Sequence, residues 1–303
     1  MRKTHKYVCL LLLVGFAQIN GTKQELTTED YSKMSTNELG EAFVRAVKGR
    51  NEDAVQKLIQ AGASVDTPIP YIHTEGDCDW DIESTALIYA VRNNCPNTVR
   101  VLLPKVARKQ LNEALYEAIK EGYPDVVEEL IKGGADINYA NKNGDTPLII
   151  AIQRARATAE FGPQAHERAR SRWHQRRNII QTLLKAGAHV NHVNKEGRTA
   201  LMEAVKEHDL HTVQTLLQIP EINTGSFFGF GTKPINYADK DGNTALILAI
   251  KMVRCSYIDN QEYKICMNSQ NILKALLETP GIDPHHVNKN GETAVKLLEK
   301  LKK

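Results

Sequence analysis

Two histidine pairs and one run of carboxylates are the residues of this chain best suited to chemistry. His208 and His211 lie three apart in the run HDLH, and His285 and His286 are adjacent. A zinc site needs further ligands at matching spacing, and neither pair comes with a convincing third. Glu75, Asp77, Asp79, Asp81 and Glu83 alternate around Trp80. Alternating acids hold calcium in a loop that also supplies a glycine for its turn and a bidentate glutamate at its end. Ile82 and Ile88 stand at those two places. The metalloprotease H-E-x-x-H, the phosphate loop, the dinucleotide fingerprint and the serine-hydrolase elbow are missing from the sequence. The expectation is a chain with no catalytic residues, no cofactor and no metal.

Charge and targeting narrow the classes further. Arg2, Lys3 and Lys6 precede an apolar run from Tyr7 to Ala17. That run is shorter than the roughly 20 residues a membrane-spanning helix needs. Gly15 and Ala17 supply small residues where a leader is cut. Residues 1–17 therefore read as a secretory signal peptide, with a secreted or periplasmic mature chain; the alternative is an uncleaved anchor that tethers the protein to a membrane. The chain has 39 Lys+Arg and 36 Asp+Glu. Loss of Arg2, Lys3 and Lys6 with the leader leaves 36 against 36. A neutral mature chain has no global pull on nucleic acid. Cys9 leaves with the leader too. The even remainder, Cys78, Cys95, Cys255 and Cys266, permits disulfides in an oxidising compartment. Cys255 and Cys266 fall in one insertion and form the first candidate pair, with Cys78 and Cys95 a second. Four free thiols are the alternative.

The elements that must carry these residues repeat. GDTPLIIAI at Gly144, GRTALMEAV at Gly197, GNTALILAI at Gly242 and STALIYAV at Ser84 are copies of one phrase. NEALYEAI at Asn112 and GEAFVRAV at Gly40 are weaker copies, and GETAVKLL at Gly291 closes the chain. A second apolar pattern follows each phrase. Twelve residues separate Ala46 from Leu58, Ala90 from Leu102, Ala118 from Leu130 and Ala204 from Leu216. The spacing grows to 32 between Ala151 and Leu183 and to 27 between Ala249 and Leu276, which marks insertions there. Each repeat is a helical pair that buries its apolar face only against its neighbours. Thr146, Thr199, Thr244 and Thr293 are predicted N-caps, and Pro147 suits the first helical position. Gly133 or Gly134, and Gly187, are predicted left-handed caps.

The 33-residue period, the T-P-L-x-x-A phrase and the connecting segments AGASVDT, GGADINYANKNG and AGAHVNHVNKEG resemble those of ankyrin-repeat proteins. The resemblance covers roughly 37–303 and implies an all-α solenoid of about six repeats plus a C-terminal capping helix, with hairpin fingers between repeats. The family's histidine is replaced by Ile88, Tyr116, Ile149, Met202 and Ile247. The expected organisation is a signal peptide over 1–17, an N-terminal linker over 18–36 and a repeat domain over 37–303. At 42% hydrophobic content the repeats can share a substantial core along one stack.

Four segments depart from the repeat: Thr67 to Glu83, Gln153 to Arg177, Ile222 to Pro234 and Lys251 to Gln270. The second carries seven arginines and is expected as two helical arms around Phe161-Gly162-Pro163. It is the place to meet an anionic partner or membrane surface. The third holds Phe227, Phe228 and Phe230 among glycines, a candidate contact loop. The resemblance implies that the residue before each motif alanine faces a concave groove: Tyr89, Glu117, Ile150, Glu203 and Leu248. One turn on come Arg92, Lys120, Gln153, Lys206 and Lys251. The expected function is an exported scaffold that binds another protein through this face and its finger insertions. The alternatives are a membrane-tethered structural protein and an enzyme inhibitor or enzyme-associated module.

Overall fold

Threonine opens the first helix of most repeats, as the sequence predicts. In a computed structural model of the protein, which describes residues 16–19, 22–71, 82–154, 165–224, 233–255 and 263–301, Thr85, Thr146, Thr199 and Thr244 each accept a hydrogen bond from the amide three residues on, at 3.4 Å. Such a cap satisfies a donor the helix cannot, and its loss costs about 1 kcal/mol. Pro147 takes the first helical position.

Contacts divide the chain into two compact units, Met1–Asp136 and Ile137–Lys303. The first unit begins with two short antiparallel strands, β1 (Phe16–Ile19) and β2 (Thr22–Glu25), and a short helix α1 (Thr28–Ser32). The stretch 18–36, expected as a linker, therefore holds regular structure. A capping box between Thr27 and Asp30 starts α1, which packs on the following pair and buries Tyr31. Five residues are too few for helical periodicity to show in the sequence. Three helical pairs follow: α2 (Thr36–Lys48) with α3 (Glu52–Gln60), α4 (Ala86–Arg92) with α5 (Pro96–Leu102), and α6 (Arg108–Glu121) with α7 (Pro124–Lys132). First helices α2, α4 and α6 form one layer, and second helices α3, α5 and α7 form the other. Strands β3 (Ile69–Tyr71) and β4 (Ile82–Ser84) make the finger hairpin before α4.

The second unit continues the pattern. Its first helices are α8 (Pro147–Gln153), α10 (Ala200–Lys206), α13 (Ala245–Cys255) and the closing α15 (Ala294–Leu301), packed in that order. Its second helices are α9 (Ala165–Lys185), α11 (Leu210–Leu217) and α14 (Tyr263–Leu277), with the short α12 (Pro220–Thr224) after α11. The motif alanines Ala90, Ala118, Ala151, Ala204 and Ala249 are all buried, as are their partners Leu102, Leu130, Leu183, Leu216 and Leu276. A small residue on one helix admits a leucine from the other, so the twelve-residue spacing is a packing rule. Of the two glycines ending α7, Gly134 is left-handed (φ +90°) and Gly133 is not. A Cβ on Gly133 would fall 2.5 Å from Leu103, so that glycine serves close packing instead.

The arginine-rich insertion adds length to a second helix. Residues 165–185 form one continuous helix, and the Phe161-Gly162-Pro163 break lies outside the described residues.

Candidate functional site

The turn between the helices of a pair needs one left-handed residue. Arg50, Asn94, Gly122 and His208 fill that place in four pairs, with φ between 51° and 84°. His208 is thus a turn residue, and its Nδ1 lies 2.7 Å from the buried Ser269 Oγ. His211 sits on α11 with Nδ1 2.9 Å from an Arg177 guanidinium nitrogen. Burial, then the Arg177 charge, holds the His211 ring below its usual pKa. His286 donates from Nε2 to the Gly242 carbonyl at 3.1 Å. Among the described residues no group of three or more His, Cys, Asp or Glu could hold a metal ion. The acidic run around Trp80 lies mostly outside the described residues.

In the second unit the fingers share one turn, a pattern that sequence reasoning overlooked. Asn141, Asn194, Asp239 and Asn288 each stand three residues before a finger glycine. The side-chain Oδ1 of each accepts two backbone amides, from the residues two and four further on, at 2.8–3.0 Å. The signal was available as N/D-K-x-G in four finger tips. Successive fingers are then tied backbone to backbone: Lys195 N donates to Asn143 O, Lys240 N to Glu196 O and Lys289 N to Asp241 O, each at 3.0 Å. The glycines make this approach feasible. A Cβ on Gly144, Gly197 or Gly242 would come within 3.0 Å of the next finger's backbone. His192 reinforces the tie by donating to the Gly144 carbonyl at 2.8 Å. His192 and His286 thus each bond the carbonyl of an earlier finger's glycine, Gly144 and Gly242.

The expected groove residues divide. In the first unit Tyr89 and Glu117 are half-buried, and Glu117 pairs with Arg92 Nε at 2.8 Å and Lys120 Nζ at 3.8 Å. In the second unit Leu248 is half-buried, but Ile150 (6% exposed) and Glu203 (1%) are not accessible. That corrects the expectation for those two. Ile150 lies in the packed first layer, and Glu203 is a buried carboxylate held by Arg198 and, at 3.7 Å, by Lys206. Lys251 in turn reaches Asn243 Oδ1 at 2.8 Å and Glu292 at 3.2 Å. The cations one turn on are therefore largely engaged in pairs along the first-helix layer.

The remaining candidates are only partly placed. Phe227, Phe228 and Phe230 lie outside the described residues. Cys255 ends α13 and Cys266 falls in the first turn of α14, two helices that pack together; their side chains lie outside the described ones. Cys95 is a free, buried thiol whose Sγ–H donates to the Asn93 carbonyl at 3.3 Å, and its candidate partner Cys78 lies outside the described residues. Burial pushes that thiol's pKa up. In the basic insertion Arg172 is exposed, whereas Arg177 sits 5.2 Å from the Trp173 ring centroid.

A family model of ankyrin repeats in three copies matches residues 43–141 and 169–260. The chain belongs to the ankyrin-repeat family. Relatives include the mouse B-cell lymphoma 3 protein homolog, 33% identical over 36% of this chain and 23% of that protein. The human ankyrin repeat and SOCS box protein 6 is 27% identical over 45% of this chain and 27% of that protein. The chain thus spans about a quarter of the length of these curated relatives. The crystal structure of the ankyrin repeat domain of Bcl-3 superposes with a TM-score of 0.58 at 21% identity, covering 86% of this chain and 97% of that one. This ankyrin chain is therefore a mostly helical solenoid of ankyrin repeats, its described strands confined to two short hairpins.

Proposed function

We propose that this chain is a non-enzymatic protein-binding scaffold that works outside the cytoplasm. The observation that carries the reading is a contrast between positions. The Thr caps, core Ala and Leu, and finger Asn/Asp and Gly recur from repeat to repeat and are consumed by the fold. The position before each motif alanine varies in chemistry, from Tyr89 and Glu117 in one unit to Leu248 in the other. A repeated frame with a varied face suits recognition of another protein, and Tyr89 beside the Arg92–Glu117–Lys120 cluster offers the mixed apolar and charged chemistry of specific interfaces. Arg172 and its neighbours in 153–177 are where an anionic partner or membrane surface would add contact.

The test is affinity capture with the full chain, followed by variants. Tyr89→Ala and Leu248→Ala should each weaken capture of the recovered partner while the variant remains folded at the assay temperature, as its melting curve checks. Unchanged capture in both variants would overturn the assignment of this face. The aromatic finger has a larger expected effect. Phe227, Phe228 and Phe230 replaced together by serine should weaken binding by roughly 2 kcal/mol or more and leave the melting transition nearly in place. Lost stability with intact binding would mean the rings pack inward.

Export rests on the basic flank and short apolar run of residues 1–17. Among the described residues no helix is long and apolar enough to cross a membrane. N-terminal sequencing of exported protein should begin near Gln18, and non-reducing peptide mapping should recover Cys255 joined to Cys266. Retention of Met1 to Ala17 on a membrane fraction would favour the tethered alternative.

A further inference from the structure

The second unit contains one short sequence twice, in two different surroundings. Asn141-Lys142-Asn143-Gly144 forms the tip of its first finger, and Asn288-Lys289-Asn290-Gly291 forms the tip of its last. An acid follows each, Asp145 and Glu292. Another Asn-Gly step, Asn20-Gly21, lies outside the described residues.

Asn-Gly is the sequence most open to one backbone reaction. The glycine amide nitrogen attacks the asparagine side-chain Cγ, a C–N bond forms and ammonia leaves, closing a five-membered succinimide. Water then adds at either ring carbonyl and opens it to aspartate or isoaspartate. The net exchange is water in and ammonia out. Glycine favours the attack because no Cβ shields its nitrogen or restricts its backbone.

In both tips that nitrogen is engaged. Gly144 N donates to Asn141 O at 2.9 Å and Gly291 N to Asn288 O at 3.0 Å. Reaction requires the turn to open, so its rate follows the population of the open tip. What holds the two tips closed differs. The first has a finger after it. Lys195 N donates to the Asn143 carbonyl at 3.0 Å, His192 Nε2 to the Gly144 carbonyl at 2.8 Å, and Asn194 Nδ2 to Asp145 Oδ1 at 2.8 Å. These bonds clamp both residues of the reacting pair. At the last tip the Gly291 Cβ position has nothing within 4 Å, and no donor among the described residues reaches the Asn290 carbonyl. The preceding finger ties the base of the turn, through Lys289 N to Asp241 O and Asn288 Nδ2 to Asn243 Oδ1, both at 3.0 Å, and Glu292 is held by Asn288 Nδ2 at 3.0 Å and Lys251 Nζ at 3.2 Å, which leaves the Asn290 carbonyl unheld among the described residues. Lys296 Nζ touches the Gly291 carbonyl at 3.5 Å from an exposed side chain.

We propose that Asn290 is a site of spontaneous deamidation through a succinimide, and that Asn143, in the same tetrapeptide, is protected by the finger that follows it. The bond to the Asn143 carbonyl has no counterpart at Asn290, and His192 at 2.8 Å grips the Gly144 carbonyl more closely than Lys296 at 3.5 Å grips that of Gly291; together these set the native rates apart by roughly tenfold. Deamidation at this tip does not depend on the binding function.

The full chain is incubated in mildly alkaline buffer below its melting temperature and sampled over days. Peptide mass mapping follows conversion at Asn290 and Asn143, and isoaspartyl methyltransferase labelling counts isoaspartate. Asn290 should convert about tenfold faster in the native chain, mostly to isoaspartate. In denaturant the two should converge, because their local sequences are alike. Asn290→Gln, a change at an exposed side chain, should remove the fast methyl acceptor. Equal native rates, faster reaction at Asn143, or a denatured ratio equal to the native one would each overturn the proposal. So would a product of aspartate alone, which would mark direct hydrolysis.

Discussion

Leu148→Ala is expected to destabilise the Ile137–Lys303 unit by about 2–5 kcal/mol. Leu148 is fully buried on α8, between Pro147 and Ile149, which are buried as well. Helix α8 packs against both α9 and α10. Truncation removes apolar contact and leaves a cavity that two packed helices cannot collapse to fill. Unfolding must be followed by a probe inside the unit, since two units need not unfold as one transition. Trp173 on α9 is that probe once Trp80 is replaced by phenylalanine, because the chain has only 2 tryptophans. A loss within about 0.5 kcal/mol would match an ordinary surface change and refute the register assigned to this repeat.

Gly197→Ala should cost more than Gly291→Ala, though both glycines have φ between 71° and 76°. Either alanine must adopt a left-handed backbone, at about 1–2 kcal/mol. At Gly291 that is the whole effect, because open space surrounds the added methyl. At Gly197 the methyl lies 2.9 Å from Lys240 N and 3.0 Å from the Asp239 backbone. It displaces the donor of the Lys240 N to Glu196 O bond, adding roughly 0.5–1.5 kcal/mol for that bond. Denaturant titration of the two variants side by side isolates the difference. Equal losses would show that the fingers separate without cost.

The helical pairs were legible in the sequence because their determinants are local. A threonine cap, a small alanine and a leucine twelve residues on all act within one repeat, so their spacing survives as text. The finger turn was also written locally, in Asn or Asp three before glycine, and attention to the glycines alone missed it. Burial of Ile150 and Glu203 was not legible. It depends on what neighbouring repeats place over them, and for Glu203 on Arg198 reaching it from a finger. Helix α1 escaped notice because five residues give no period, although its capping box at Thr27 and Asp30 was visible. The candidate site suffered most. Three of its five groove positions keep partial exposure, and the aromatic finger and the paired cysteines' side chains fall outside the described residues.

The finger ties of the second unit have a consequence for how such a chain grows. Each junction joins a backbone amide to a backbone carbonyl across a glycine, and no side chain at the donor or acceptor residue takes part in that bond. The acceptor residues show the indifference directly, since Asn143, Glu196 and Asp241 fill the same role. A duplicated repeat that keeps its glycine and its turn-forming Asn or Asp therefore inherits a working junction on both sides at once. Copy number can change by recombination between repeats without a matched pair of compensating substitutions. Variation between copies is then left to the exposed positions, where selection can act on each one separately.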